Sequence, residues 1–194
     1  QALLPRPNLT VVEGTIEDAA LVDRLFGEFA PTHVVHSAAS YKDPNDWVRD
    51  ANVNVIGTIN VVRAAERAGV RRFVNFQTAL CFGRPSTVPI PADHPTRPFT
   101  SYGVSKTAGE AVVQASSLDW VSLRIANVTG PRLAIGPMPA FYKRLKAGEP
   151  CSVSTTVRDF LDMSDFLSLM DLVLASSGRG IYNVSTGEGH TIQE

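Results

Sequence analysis

The sequence predicts an α/β fold built on a doubly wound parallel sheet. Three observations predict it. Short apolar runs alternate with longer amphipathic ones along the chain. Small and polar residues gather where the short runs end, in "HSAAS", "QTALCFG" and "ANVTGP", and the carboxyl ends of strands are where such sheets keep their ligands. The chain has 194 residues, 44% of them hydrophobic, which is enough for one domain with a sizeable core.

In order, "LTVVEG" reads as a buried strand and "DAALVDRLFGEF" as a helix. "THVVHSAA" reads as a strand with a small-residue end. "NDWVRDANVNVIGTINVVRAAERAG" has helical spacing and stops at Gly69, a C-cap. "RRFVNFQTAL" is a strand. "PTRPFTSYGVSKTAGEAVVQASS" is a Pro-rich approach to a helix, and "DWVSLRIANVTG" is a strand. Strand and helix alternate, so helices should cover both faces of a parallel sheet through right-handed crossovers. Beyond Pro131 the pattern loosens. "PAFYKRLKAG" reads as a helix, "TVRDFLDMSDFLSLMDLVLASS" as a turn and helix, "GIYNVST" as a strand, and "HTIQE" as the start of a helix.

Bulk properties bound the function. Charged residues make up 19% of the chain and the net charge is −1, which gives no general electrostatic reason for a nucleic-acid or anionic-membrane partner. No apolar run is long enough to span a bilayer. Cys81 and Cys151 have no metal or redox spacing, which points to a reduced cytoplasmic compartment.

Tyr102 and Lys106 stand four apart at a helix start, and residues four apart share a helix face. A nearby cation favours a phenolate, so the pair is either a proton-transfer device or a packed tyrosine beside a solvated lysine. Thr78 ends a strand, where its hydroxyl could meet a substrate oxygen or cap a turn. Asn54 is an amide amid apolar helix positions. It needs partners, and is read as bonding a neighbouring backbone or ordering a water near the site.

Seven stretches together carry a resemblance: "HVVHSAA", "NVNVIGTIN", "QTALCFG", "YGVSK", "SLRIANVTGPR", "VRDFLDMSD" and "IYNVSTGEGHTIQE". In that order they resemble the motifs of the extended short-chain dehydrogenases/reductases, in the NAD-dependent nucleotide-sugar epimerase/dehydratase family. The pattern is most similar to bacterial epimerases that make UDP-sugars for surface polysaccharides. The resemblance implies a Rossmann-like NAD-binding part over residues 1–130. It implies a partial substrate-binding region over 131–194 that includes a returning strand.

The resemblance also implies roles. Tyr102 would be the acid/base at a sugar hydroxyl. Lys106 would hold the nicotinamide ribose and lower the pKa of the tyrosine, and Thr78 would bond the reacting oxygen. Ser37, Ala38, Ala39, Tyr41 and Ala126 would line the cofactor, with Asn54 close by. Thr15 and Ile16 would touch adenine. Asn127 and Arg158 would contact the diphosphate of the nucleotide sugar, where an arginine fork suits phosphate. A homodimer is implied through the "NVIGTINVVRAAERAG" and "SKTAGEAVVQASS" helices, which carry Val and Ala on more than one face.

There are two departures. Thr15 stands where the family usually has Asp. No glycine-rich turn of the G-x-x-G-x-x-G or G-x-G-x-x-G type occurs. The chain reads as if its first strand, helix and second strand, and the part that closes over the sugar, belonged to a longer protein. Such a segment should bind NAD at least about two orders of magnitude more weakly than the intact protein, roughly 2.7 kcal/mol.

Within the family, "TAL" discriminates. Dehydratases resemble T-D-E here and decarboxylases T-S-E. Ala79 and Leu80 cannot move protons. Cys81 sits one place later than the cysteine of the epimerase-reductases and reads as a buried strand residue. What remains is 4-epimerisation with a retained NAD. The alternatives are a dehydratase, an oxidoreductase that releases its cofactor, and a dinucleotide-binding sensor or scaffold.

Overall fold

The computed structural model describes residues 6–194. Helix α1 (Ala19–Phe29) starts where the Asp18 carboxylate accepts from Leu21 N at 3.0 Å. It leads to strand β1 (His33–His36). The long helical stretch that follows is not one α-helix. Helix α2 (Trp47–Ala51) passes into a π-helical turn at Asn52–Gly57 and then into α3 (Thr58–Arg67). It ends as expected at Gly69, whose φ of 65° is the left-handed geometry that glycine adopts at least cost.

Strand β2 (Arg72–Thr78) runs into a 3-10 turn at Ala79–Phe82. A loop over 83–99 precedes α4 (Ser101–Gln114), which Thr100 caps by accepting from Gly103 N at 3.1 Å. Then come β3 (Trp120–Ile125), β4 (Asn127–Thr129), α5 (Pro137–Lys146), β5 (Val157–Arg158), β6 (Phe160–Asp162), α6 (Met163–Ala175), β7 (Gly180–Val184) and β8 (His190–Thr191).

The main sheet has the order β1-β2-β3-β7, all parallel. Helices α1, α3 and α4 cover one face, with Val22, Val61, Val62 and Val113 around Phe73. Helix α6 covers the other, with Phe166 and Met170 against Val74, Leu123 and Val184. β2 lies between two strands and two helical layers, which is why even its polar residues Arg72, Asn75 and Gln77 are buried. The doubly wound architecture expected from the sequence is therefore present.

Four local expectations are corrected. "LTVVEG" forms no strand, and Val11 is 60% exposed: no described strand lies beside it to pair its N–H and C=O groups. β1 is accordingly an edge of the described sheet. The stretch "TVRDFLD" is not a plain turn but two short strands. β6 pairs parallel with β4, and β5 pairs antiparallel with β8. For the same reason "HTIQE" opens as a strand rather than a helix, since His190 and Thr191 find partners in Arg158 and Val157. Cys81 is buried as expected but sits in the 3-10 turn after β2, not in the strand.

Candidate functional site

A cavity of about 580 Å³ opens at the carboxyl ends of β2, β3 and β7. Thr78, Tyr102, Ala126, Asn127 and Arg158 all line it. These residues come from β2, α4, the β3–β4 junction and β5, so the fold brings together positions up to 80 residues apart in sequence.

Tyr102 sits in the first turn of α4, with the Tyr41 ring edge-on at 6.1 Å. Its pKa is raised to about 12, first by burial and then by Tyr41. A hydrogen bond to the Thr78 hydroxyl pulls the other way. The Thr78 Oγ1 also accepts from Leu80 N at 3.2 Å, which caps the 3-10 turn. The expectation that Lys106 lowers the tyrosine's pKa is not met by the chain alone. Desolvation of the phenolate outweighs the Thr78 hydrogen bond, and Lys106 is not among the groups that move it.

Lys106 is 4% exposed and is not among the residues that line the cavity. Burial lowers its pKa to about 8 against the opposing pull of Glu110, one turn on. Its ammonium enters no ion pair among the described residues. A buried cation without a partner is a group that a ligand oxygen can satisfy.

Asn54 is almost fully buried and takes the structural option. Its Oδ1 accepts from Ser40 N at 2.8 Å, and its Nδ2 donates to Ser40 O and to Ser105 Oγ, each at 2.9 Å. It thereby ties the loop after β1 to α4. That loop carries Ser37, Ala38, Ala39 and Tyr41, none of which lines the cavity. Thr15 is exposed and donates to Glu17 at 2.8 Å. Ile16 lies against Gly57, and its carbonyl accepts from Asn60. The candidate residues thus fall in two groups: five around the cavity, and the remainder outside its lining, with Lys106 on α4, Asn54 in the π-helical turn, Ser37, Ala38, Ala39 and Tyr41 after β1, and Thr15 and Ile16 before α1.

Asn127 donates from Nδ2 to Asp159 O at 3.2 Å. Arg158 donates one Nη1 bond to Val157 O at 3.0 Å, and the rest of its fork makes no bond among the described residues. Ala126 N bonds Val184 O at 2.9 Å, which fixes the turn between β3 and β4.

Sequence reasoning missed a buried polar layer beneath the site. Glu110 and Arg124 form an ion pair at 2.8 Å with almost no exposure. Ser122 donates to Glu110 at 2.6 Å, and Asn75 donates to Ser122 at 3.0 Å. The signal was available: a charged residue inside the apolar strand "VSLRI" needs a buried partner.

The comparisons decide the family. The model of the NAD dependent epimerase/dehydratase family matches residues 2–185. The chain belongs to the NAD-dependent epimerase/dehydratase family. It is 31% identical to a UDP-glucose 4-epimerase of Mycolicibacterium smegmatis, over 91% of this chain and 61% of that one. Its structure is similar to that of the Bordetella bronchiseptica enzyme WbmG in complex with NAD and UDP. That likeness has a TM-score of 0.95 and 65% identity, over 99% of this chain and 62% of the other. WbmH of the same organism, in complex with NAD+, matches at a TM-score of 0.94 and 46% identity, over 98% of this chain and 64% of its own. The chain spans a little over three fifths of the length of these relatives.

Proposed function

We propose that this chain forms the core of an NAD-dependent epimerase that inverts carbon 4 of a UDP-sugar. One observation carries the reading: the Tyr102 phenol and the Thr78 hydroxyl share a cavity whose adjoining wall, at Ala79 and Leu80, bears no acid or base. The names of the relatives support it, since they include UDP-glucose 4-epimerases and an NAD- and UDP-bound enzyme.

The residues present fit NAD. Lys106 offers a buried, unpartnered ammonium for a ribose hydroxyl. Ser37, Ala38 and Ala39 are small enough at the end of β1 for close approach, with Tyr41, Asn54 and Ala126 around them, and Thr15 and Ile16 toward the adenine. Bound NAD supplies the hydride acceptor and donor that takes the carbon-4 alcohol to a ketone and back. Tyr102 takes the hydroxyl proton and returns it from the same oxygen, so no second acid is needed. Thr78 holds the reacting oxygen. Arg158 and Asn127 hold the diphosphate, where the free part of the arginine fork can bond two oxygens.

In this reading residues 1–130 are the cofactor-binding part, and 131–194 belong to the sugar-binding part with β7 returning to the sheet. The protein works in the cytoplasm in surface-polysaccharide synthesis, with no nucleic-acid or membrane partner. No helix among the described residues is long and apolar enough to cross a membrane, and none of their side chains cluster as a metal site. Two copies pair through the "NVIGTINVVRAAERAG" and "SKTAGEAVVQASS" helices, which leave Ile56, Ala108 and Ala111 exposed. Sedimentation should show a dimer at micromolar concentration, and a monomer there would end the dimer proposal.

The testing experiment incubates the protein that carries this chain with a panel of UDP-sugars, read by NMR, alongside its absorbance for retained NAD. A 4-epimer with retained cofactor is expected. Loss of water would favour the dehydratase, an empty site with net oxidation the oxidoreductase, and binding without turnover the sensor or scaffold.

A further inference from the structure

Parallel pairing puts Gln77 opposite Arg124, and Arg124 opposite Asn183. Side chains in register on parallel strands project to the same face, so the three form a polar row across β2, β3 and β7. Each reaches a different part of the site. The Gln77 Nε2 donates to the carbonyl of Lys106 in α4 at 2.9 Å. Arg124 holds Glu110 of α4 and also donates from Nη1 to Ala92 O at 3.2 Å, with its guanidinium 5.0 Å from the Phe82 ring centre. The Asn183 Nδ2 donates to Ile90 O at 2.7 Å.

The two carbonyls belong to the loop over 83–99, which contains five prolines. Proline has no N–H, so such a loop can build little internal ladder and its carbonyls need donors from outside. Arg124 and Asn183 supply them at alternate loop residues. Val88, Pro89 and Ile90 of the same loop line the cavity that holds Thr78 and Tyr102. The Oδ1 of Asn183 is buried without a partner, which costs stability. An amide with one satisfied end is a poor sheet stabiliser but a good tether.

We propose that Arg124 and Asn183 are positioning residues for the sugar. They fix the proline-rich wall of the cavity at a set distance from the Tyr102 phenol, while Gln77 and Glu110 fix the helix that carries the phenol. One polar row therefore sets both sides of the gap that the sugar ring occupies. This rests on the epimerase reading, because it assigns the cavity to the sugar.

Asn183 is the better probe, since breaking the buried Arg124–Glu110 pair endangers folding. The test uses the protein that carries this chain, with UDP, UDP-glucose and UDP-N-acetylglucosamine as probes. In Asn183→Ala and the isosteric Asn183→Asp, the dissociation constants of the UDP-sugars should rise about tenfold, or about 1.4 kcal/mol. The affinities for UDP and NAD should stay within twofold, and the released keto sugar should increase. Asn183→Gln, which keeps a donor, should recover most of the sugar affinity. Unchanged sugar affinity in Asn183→Ala, or an equal loss for UDP, NAD and sugar together, overturns the proposal. A wild type that binds UDP-sugars without making a 4-epimer would instead overturn the epimerase reading, and the calorimetric comparison of variants would still decide the tether.

Discussion

Gly109 of α4 lies against the carbonyl of Asn54 so closely that a Cβ there would stand 2.5 Å from that oxygen. The contact joins α4 to the π-helical turn and sets how near Lys106 and Tyr102 lie to the end of β1. Gly109→Ala must push two backbones apart, so it should cost about 1–3 kcal/mol in denaturant unfolding. Gly27→Ala in α1 meets nothing within 4 Å and should stabilise by about 0.5–1 kcal/mol. Equal effects from the two changes would show that the helix contact is not tight.

Tyr102→Phe should remove most turnover while leaving binding of the nucleotide sugar nearly intact, because the phenol is needed only when the proton moves. Steady-state kinetics with calorimetry would check it. A kcat near that of the wild type would end the catalytic assignment.

Lys106→Met should weaken NAD binding and move the rate profile to higher pH. An ammonium favours a nearby phenolate while it is protonated, below about 8. In the chain alone Lys106 does not move the Tyr102 pKa, so the shift tests whether bound cofactor couples the two. Because burial dominates Tyr102 in the structure, an unchanged profile would leave Lys106 with cofactor binding alone.

His36 is buried, and burial with the nearby Lys106 lowers its pKa to about 3. The Thr58 hydroxyl donates to Asn54 O at 2.7 Å, so it accepts from His36 Nε2–H at 2.9 Å, and the ring is neutral. As pH falls from 6.5 towards 3 the unfolded chain takes up the proton first, and stability is lost across that window. In His36→Gln, which keeps a donor for Thr58, melting temperature should fall less between pH 7 and pH 4 than in the wild type. Parallel falls would assign acid sensitivity to other groups.

In deuterium oxide the epimerised sugar should gain no carbon-bound deuterium. Ala79 and Leu80 offer no base for the carbon beside a transient ketone, so hydride returns to the carbon it left. Deuterium at carbon 6, or a product lighter by one water, would move the reaction to the dehydratase class.

The sequence by itself determined the alternation of strands and helices, the stop at Gly69 and the motif set around Tyr102. These are local matters of periodicity, backbone freedom and spacing on one helix face, and they are written within a few turns of chain. It also determined that the strand ends would carry Thr78 and Ala126, because small and polar residues gather there. Tertiary structure decided what depends on neighbours distant in sequence. "LTVVEG" has strand composition but no described strand beside it, so its backbone cannot complete a ladder. "TVRDFLD" pairs only because β4 and β8 come to meet it. Burial raises the Tyr102 pKa, which no spacing to Lys106 reveals. Gln77, Arg124 and Asn183 stand in one row because three strands that together span more than 100 residues of chain share a register, and register is a property of the sheet.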